Sequence, residues 1–490
     1  MSRDPEEAAA AESGAHTHEA DGYDVVVIGA GPAGENAAWY AIDNGLSVAI
    51  VESELVGGEC SYWACMPSKA LLRAAEALAA ARRVPGAREA ITGELDVAAI
   101  LDRRNDFAGN WDDQGQVDWL VGIGIELVRG HGRLAGEKTV EVTDADGGVR
   151  TLRAEKAVVV APGSAAAFPP VPGLRESNPW GNREITAAAT VPERLIVLGG
   201  GVVGVEMAQA WKSLGASEVT IVEMMDRLLP GHEPFVGEEL AAALRDLGID
   251  VITGVAAARV DRRGEGFVVE LADGRVIEGD ELVVAAGRRP LTDDLGLETI
   301  GLEPGGFLTV DDHMRVEGVE DGWLYAVGDV NGRSLVTHMG KYQARLVGDT
   351  IAGIESPAWS DLTAAPGVVF TDPQVASVGL TEARARDAGM NVRTVSYGTG
   401  AVAGAATLGQ GVSGTSFLVI DEDRDVIVGA TFTGPGVGEM VHAATIAIVG
   451  EVTIERLWHA VPAFPTVSEV WLRLLEEVRT ARRQEAAVPA

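Results

Sequence analysis

Cysteine is nearly absent from this 490-residue chain: Cys60 and Cys65 are the only two. Two thiols cannot build the disulfide framework of a small secreted scaffold. A structural bridge closing so short a loop would stabilise little. A metal centre needs further ligands, and no nearby histidine or third cysteine supplies them, so no metal is expected. Redox chemistry is the better reading of the pair. Lysine is scarce as well, limited to Lys69, Lys138, Lys156, Lys212 and Lys341, and the net charge is −34. Such a chain repels phosphate backbones and anionic membrane surfaces, which argues against nucleic-acid and membrane partners. No uninterrupted apolar run is long enough to span a bilayer. Residues 1–22 are alanine-rich and acidic without an apolar core. They read as a disordered acidic tail rather than a secretory signal, and a cytoplasmic location is expected.

What the chain does have is length, apolar residues and glycine. Its 490 residues suggest two to four domains, and 47% apolar content is enough for several cores. The 61 glycines suit an α/β protein rich in tight strand–helix turns. Tyr23 to Ile28 reads as a strand, followed by Gly29-Ala30-Gly31-Pro32-Ala33-Gly34 and a helix expected from about Glu35 to Asn44. A second strand then ends at Glu52. The arrangement recurs: a strand from Leu195 to Leu198, Gly199-Gly200-Gly201-Val202-Val203-Gly204, a helix to about Leu214, and a strand ending at Glu223. Two such units predict an α/β fold with two Rossmann-like dinucleotide-binding domains. From about Ser360 the pattern changes to strands and one amphipathic helix, Gly438 to Val449, expected to form a C-terminal α+β domain. The last ten residues read as a frayed tail.

In each fingerprint the glycines let backbone N–H groups approach a pyrophosphate at a helix N-terminus. Glu52 and Glu223 are placed to accept from a ribose 2′-hydroxyl. Glu223 would repel a 2′-phosphate, and Met224 follows where a phosphate site wants arginine, so the second unit favours NADH over NADPH despite Arg227 close by. Cys65 precedes Pro67 at a helix start and Lys69 within it, surroundings that stabilise a thiolate.

Gly57-Gly58-Glu59-Cys60 through Cys65-Met66-Pro67-Ser68-Lys69-Ala70-Leu71-Leu72 resembles the redox segment of the pyridine nucleotide–disulfide oxidoreductases, flavoproteins of the dihydrolipoamide dehydrogenase type. Ala161-Pro162-Gly163-Ser164, Val327-Gly328-Asp329-Val330 and Phe370-Thr371-Asp372-Pro373 are similar to later motifs of the same family. The resemblance implies an FAD-binding domain over 23–165 and 288–360, an NAD-binding domain over 166–287, a dimerisation domain over 361–480 and a tail over 481–490. It implies FAD along Gly29, Gly31, Gly34, Glu52, Gly58, Lys69, Gly132, Ser164, Asp329 and His338. NADH would lie along Gly199, Gly201, Gly204, Glu206, Glu223 and Gly287. Electrons would pass from NADH through FAD to a Cys60–Cys65 disulfide and on to a small acceptor. Cys65 would be the flavin-side thiol, Cys60 the interchange thiol, and Lys69 would pair with Glu206. A homodimer is implied.

One residue departs from the family pattern. Where the family closes with His-Pro-Thr-x-Ser-Glu, this chain reads Phe464-Pro465-Thr466-Val467-Ser468-Glu469. Phe464 stands in place of the acid–base histidine, and Glu469 has lost the imidazole it would orient. Phenylalanine transfers no proton, which leaves three readings: a disulfide reductase, an NADH:quinone or diaphorase-type reductase in which the disulfide is secondary, and a non-enzymatic flavoprotein subunit. Mercuric reduction is disfavoured, because no second cysteine pair exists to receive the metal ion. Tyr62 and Trp63, between the two cysteines, are expected to shape the pocket.

Overall fold

The computed structural model describes residues 22–487. The acidic tail expected over 1–22 lies outside them, except for Gly22, which already belongs to the first strand. β1 (Gly22–Ile28) is a valine run buried along most of its length, as a central parallel strand requires. α1 (Pro32–Asp43) begins at Pro32 rather than Glu35. Proline suits a first helical position, where its missing N–H has no partner to lose. β2 (Val48–Glu52) completes the first βαβ unit. Then come α2 (Gly58–Tyr62), α3 (Cys65–Arg83), α4 (Val97–Phe107) and α5 (Gln114–Gly122). β3 (Glu126–Arg129), β4 (His131–Leu134), β5 (Thr139–Thr143), β6 (Val149–Val160) and β7 (Ser164–Ala166) follow.

α6 (Asn182–Ala187) leads into the second unit: β8 (Arg194–Leu198), α7 (Val202–Ser213), β9 (Glu218–Glu223), α8 (Pro234–Asp246) and β10 (Asp250–Thr253). β11 (Ala257–Arg263), β12 (Gly266–Leu271) and β13 (Val276–Gly279) form a separate antiparallel sheet, and β14 (Glu281–Val284) rejoins the parallel one. β15 (Arg288–Pro290) pairs antiparallel with β7, so chain leaving and chain returning cross between the nucleotide domains as one ribbon. β16 (Leu324–Ala326) adds to β6 in parallel, and α9 (Thr337–Ile351) packs on α1.

The first sheet runs β3-β2-β1-β6-β5-β4, with Val25 opposite Val48 and Val26 opposite Val158. The second runs β10-β9-β8-β14, all parallel. Both sheets therefore present the carboxyl ends of their first two strands, where open α/β sheets bind ligands. No helix among the described residues is long and apolar enough to cross a membrane.

The C-terminal region begins with α10 (Ser360–Thr363), β17 (Pro366–Val369), β18 (Gln374–Gly379), α11 (Glu382–Asp387), β19 (Val392–Gly398) and α12 (Ala403–Ala406). It continues with β20 (Thr415–Asp421), β21 (Val426–Gly434), α13 (Val437–Val449), α14 (Ile454–Leu457) and α15 (Val470–Ala486). Its strands form one antiparallel sheet, β17-β18-β21-β20-β19. Two expectations are corrected here. α13 is not the only helix, because α15 packs a second apolar stripe of Val470, Trp471, Leu474, Leu475 and Val478 into the same core. The expected frayed tail over 481–490 is helix as far as Ala486. Charge pairs hold that last stretch to the sheet: Arg482 reaches Glu422 and Asp425, and Glu485 reaches Arg393.

Candidate active site

The two glycine turns are built alike. Gly29 and Gly199 take φ of +96° and +115°, left-handed values that favour glycine. Side chains there would also strike the carbonyls of Ala161 and Ala285. A Cβ at Gly34 or Gly204 would overlap the carbonyl oxygen of Gly29 or Gly199 at 1.8 and 2.0 Å, so each helix lies tight against its own turn. By contrast, nothing stands within 4 Å of where a Cβ would be at Gly201 or Gly287. That open backbone suits the approach of a pyrophosphate to the N-terminus of α7.

Each acid ties its strand end to its turn. Glu52 accepts from the Ala30 and Glu54 amides, both at 2.7 Å. Glu223 accepts from the Gly200 and Met225 amides at 2.6 and 2.7 Å. Burial pushes the Glu52 carboxyl up, against the pull of those amide donors. Arg227 does not turn toward Glu223; its guanidinium donates to Pro230 O and Asp226. The sugar-side corner of the second cradle therefore carries a carboxylate, with Met224 and Met225 exposed beside it.

The thiols sit where α2 gives way to α3. Cys65 is the first residue of α3, and Pro67 and Ser68 are buried in its first turn. The two sulfurs are unbonded and hydrogen-bonded to each other. Thr337, at the start of α9, brings its hydroxyl to 3.3 Å from Cys65 Sγ. The Cys60 hydrogen bond, the Thr337 hydroxyl and the Lys69 charge together hold the Cys65 thiol down to about 6, while the Cys60 thiol is pushed well above its ordinary value. The ultraviolet absorbance of thiolate in the dithiol protein is therefore expected to rise with a midpoint near pH 6, from one sulfur only. A single rise above pH 8 would contradict this environment.

Lys69 Nζ lies 2.8 Å from Glu206 Oε2 and 4.9 Å from the centre of the Phe370 ring. Glu206 is buried, and its other oxygen accepts from the Phe370 amide at 2.9 Å. One ion pair thus joins α3, α7 and the loop before β18, fixing the lysine one turn along the thiol helix.

Ser164 and Asp329 meet across the ribbon, the serine hydroxyl donating to the carboxylate. Arg288 donates to the Ser164 hydroxyl and carbonyl at 2.9 and 2.6 Å and to Asn182 Oδ1 at 2.9 Å. Asn182 and Arg183 donate to Glu59, and Arg183 also covers the Trp63 ring at 4.1 Å. Asp329 is brought to α1 because Gly328 lies against Ala33; a Cβ at Gly328 would stand 2.9 Å from the Ala33 methyl. Gly58, at φ +56°, presses its backbone to Gly31. Gly132 packs on Val51 and Ile28, at the ends of β2 and β1. Gly29, Gly31, Gly34, Glu52, Gly58, Gly132, Ser164 and Asp329 thus gather around the carboxyl ends of the parallel strands of the first sheet, and this cradle beside the cysteines fits a flavin dinucleotide.

Other residues fall elsewhere. His338 is exposed, with its ring at 2.7 Å from the Pro366 carbonyl; its neighbour Thr337 is the one that reaches the thiols. Tyr62 is buried and donates to the Val56 carbonyl at 2.8 Å, which anchors it as scaffolding for the loop. Phe464 is 75% exposed. Glu469 is buried, with one oxygen accepting from Arg473 at 2.6 Å and the other without a partner. Sequence reasoning missed Thr337, Asn182, Arg183 and Arg288. Only Arg288 had a local sign, following the turn glycine Gly287.

The family profile described as pyridine nucleotide-disulphide oxidoreductase matches residues 23–344, and the dimerisation domain of the same family matches 365–474. A dihydrolipoyl dehydrogenase of Haloferax volcanii is 34% identical over 468 residues, covering 93% of this chain and 96% of its own length. A mercuric reductase of Staphylococcus aureus is 30% identical over 453 residues, covering 91% and 81%. The solved flavoprotein disulfide reductase RclA of Escherichia coli superposes with a TM-score of 0.82 at 24% identity, covering 94% of this chain and all of that one, a likeness of fold.

Proposed function

The chain belongs to the pyridine nucleotide-disulphide oxidoreductase family, and from that premise we propose that it moves electrons from NADH to the Cys60–Cys65 pair and on to a small disulfide. Members of the family are enzymes that bind FAD and a pyridine nucleotide. When bound in the first cradle, FAD supplies two-electron transfer between a nicotinamide and a disulfide. The observation that carries the reading is the thiol helix: Cys65 at its N-terminus, Thr337 against the sulfur, and the Lys69–Glu206 pair one turn along.

The chain's own residues then divide the work. The Gly199–Gly204 turn and Glu223 hold and orient the reduced nucleotide. Lys69, held by Glu206, keeps a positive charge where negative charge builds up on transfer. Thr337 donates to the Cys65 sulfur and keeps it as thiolate. Cys60 is the thiol that meets the acceptor. The matched dimerisation domain supports a homodimer whose interface includes the exposed Phe464 and Val461.

The nucleotide choice follows from charge. Glu223 is fixed by two backbone amides, so a 2′-phosphate would meet a carboxylate that cannot turn away. NADH is expected to outperform NADPH in kcat/KM, and Glu223→Ser should narrow the ratio by at least about tenfold. An unchanged ratio would remove Glu223 from nucleotide selection.

The test of the whole reading is a steady-state panel with lipoamide, glutathione disulfide, other small disulfides and quinones, each with NADH and NADPH. Turnover of a disulfide supports the proposal, and none with any disulfide overturns it. Phe464 favours a second reading, NADH:quinone reduction with the thiols secondary, because a quinone needs no proton at Cys60. Mercuric reduction gains no support, since the chain has no third cysteine.

A further inference from the structure

A buried backbone amide needs a partner, and in the Gly328–Asn331 turn that partner is a side chain. The turn carries Asp329 and lies against Ala33, in the first turn of α1. The Gly328 amide donates to Gln343 Oε1 on α9 at 2.9 Å. Asn331 Nδ2 donates to the same oxygen at 2.9 Å and to the Ala326 carbonyl at 3.0 Å. Gln343 is fully buried, and its amide nitrogen donates to Asp361 Oδ2 at 3.0 Å. Asp361 is buried as well. It belongs to α10, in the connector between residue 344, where the first family match ends, and residue 365, where the second begins.

The polarity of this chain of bonds is set at Asp361. A side-chain amide can be turned end for end, and its surroundings decide which end faces which group. A carboxylate accepts and cannot donate, so it takes the nitrogen of Gln343 and leaves the oxygen for Gly328. Arg333 holds that carboxylate in place. Its Nε lies 3.4 Å from Asp361 Oδ2, and its Nη atoms donate to the Asp311 carbonyl and to Asp312. The Arg333 amide donates to Asn331 Oδ1 at 3.0 Å, which orients Asn331 to match. Asp361 Oδ1 is buried without a partner, so this carboxylate acts through Oδ2. Tyr342, next to Gln343, brings its hydroxyl to 3.4 Å from the Ser360 amide and seats α10 on α9 at the same point.

We propose that Asp361 is a positioning residue for the flavin: through Gln343 it fixes the turn that places Asp329 in the first cradle. The inference rests on the reading that this cradle holds FAD. Beyond the turn, Asp329 accepts from Ser164 at 2.5 Å, so the relay runs from α10 through α9 to the ribbon between the nucleotide domains. Turning Gln343 around would leave the Gly328 amide buried against a second donor, and the turn would move off α1 to find water. Asp361 lies just ahead of β17, the first strand of the dimerisation sheet. Seating of that sheet and retention of flavin are therefore linked, because α10 cannot leave α9 without freeing Gln343.

The test uses the FAD-loaded full-length protein. Asp361→Asn is nearly isosteric but can donate, so both orientations of Gln343 become possible and the Gly328 amide loses its acceptor part of the time. Flavin release on dilution is read from the rise in flavin fluorescence, and amide hydrogen exchange is followed peptide by peptide. Release is expected to quicken by about tenfold, roughly the worth of one buried hydrogen bond. Exchange should be faster over 327–332 and unchanged over the Gly199–Gly204 turn, whereas a general loosening would speed both. Gln343→Met, which removes both bonds, should act at least as strongly, and it decides if Asp361→Asn does not fold. Parental flavin release in the folded variant overturns the proposal, and so does exchange that rises in both cradles alike. A wild type that purifies without flavin sinks the cofactor reading instead, and exchange over 327–332 then judges the relay.

Discussion

Phe464→His is expected to raise kcat/KM for a small disulfide by about 10²–10⁴-fold, the usual worth of a positioned acid–base. The chain keeps every other part of the closing segment: Pro465, Thr466, Ser468 and Glu469 remain in register. Glu469 is buried, with one oxygen held by Arg473 and the other without a partner, a carboxylate ready to receive an imidazole N–H. A buried acceptor left unmade is costly, so a histidine at 464 would gain orientation from a bond that is already waiting. The measurement is steady-state turnover of lipoamide and other small disulfides, with Phe464→Asn as the control for loss of the ring alone. Asparagine should leave turnover near the parent value, because it moves no proton. If histidine gains nothing either, the acceptor cannot reach Cys60, and the wall set by Trp63 becomes the reason.

The two nucleotide cradles were legible because their parts act within a short stretch of chain. Gly29 and Gly34 pack against each other, and Glu52 bonds the amide of Ala30 from the end of the next strand. Strand, turn, helix and acid are consecutive, and the physics that positions them is local. The thiol site is different. Lys69 finds Glu206 at a separation of 137 residues, Cys65 finds Thr337 at 272, and Arg288 finds Ser164 at 124. The first of these pairs was reached only through family resemblance, and no pattern in the sequence announces the other two. Some misses were avoidable. Val470, Trp471, Leu474, Leu475 and Val478 recur at the spacing of one helix face, and the helix they mark runs on to Ala486, into the stretch expected to fray. Tyr62 shows the opposite limit: next to a cysteine in sequence, it points its hydroxyl at Val56 and braces the loop from behind.

Cys60→Ser is expected to remove disulfide turnover by at least about 10³-fold while leaving reduction of ferricyanide or a quinone by NADH near the parent rate. The asymmetry of the two thiols is the reason. Cys65 is held as thiolate by Thr337 and by the charge of Lys69, an arrangement that keeps an electron pair in place. Cys60 precedes α3 on the short α2 helix, its proton held more tightly, and it is the sulfur that must leave the pair to attack. A serine hydroxyl can replace its hydrogen bond to Cys65 but neither forms a bond to an acceptor sulfur nor carries electrons. Dye reduction draws on the nucleotide cradles and Lys69 alone, so it should survive. The comparison separates the two readings by their rates. If quinone reduction is fast and unchanged in Cys60→Ser while the parent protein reduces disulfides slowly, the thiols are a side branch, and Phe464 marks a chain that has moved its output to the flavin. If disulfide turnover is the fast reaction and vanishes with Cys60, the thiols carry the output of the chain and the flavin alone does not.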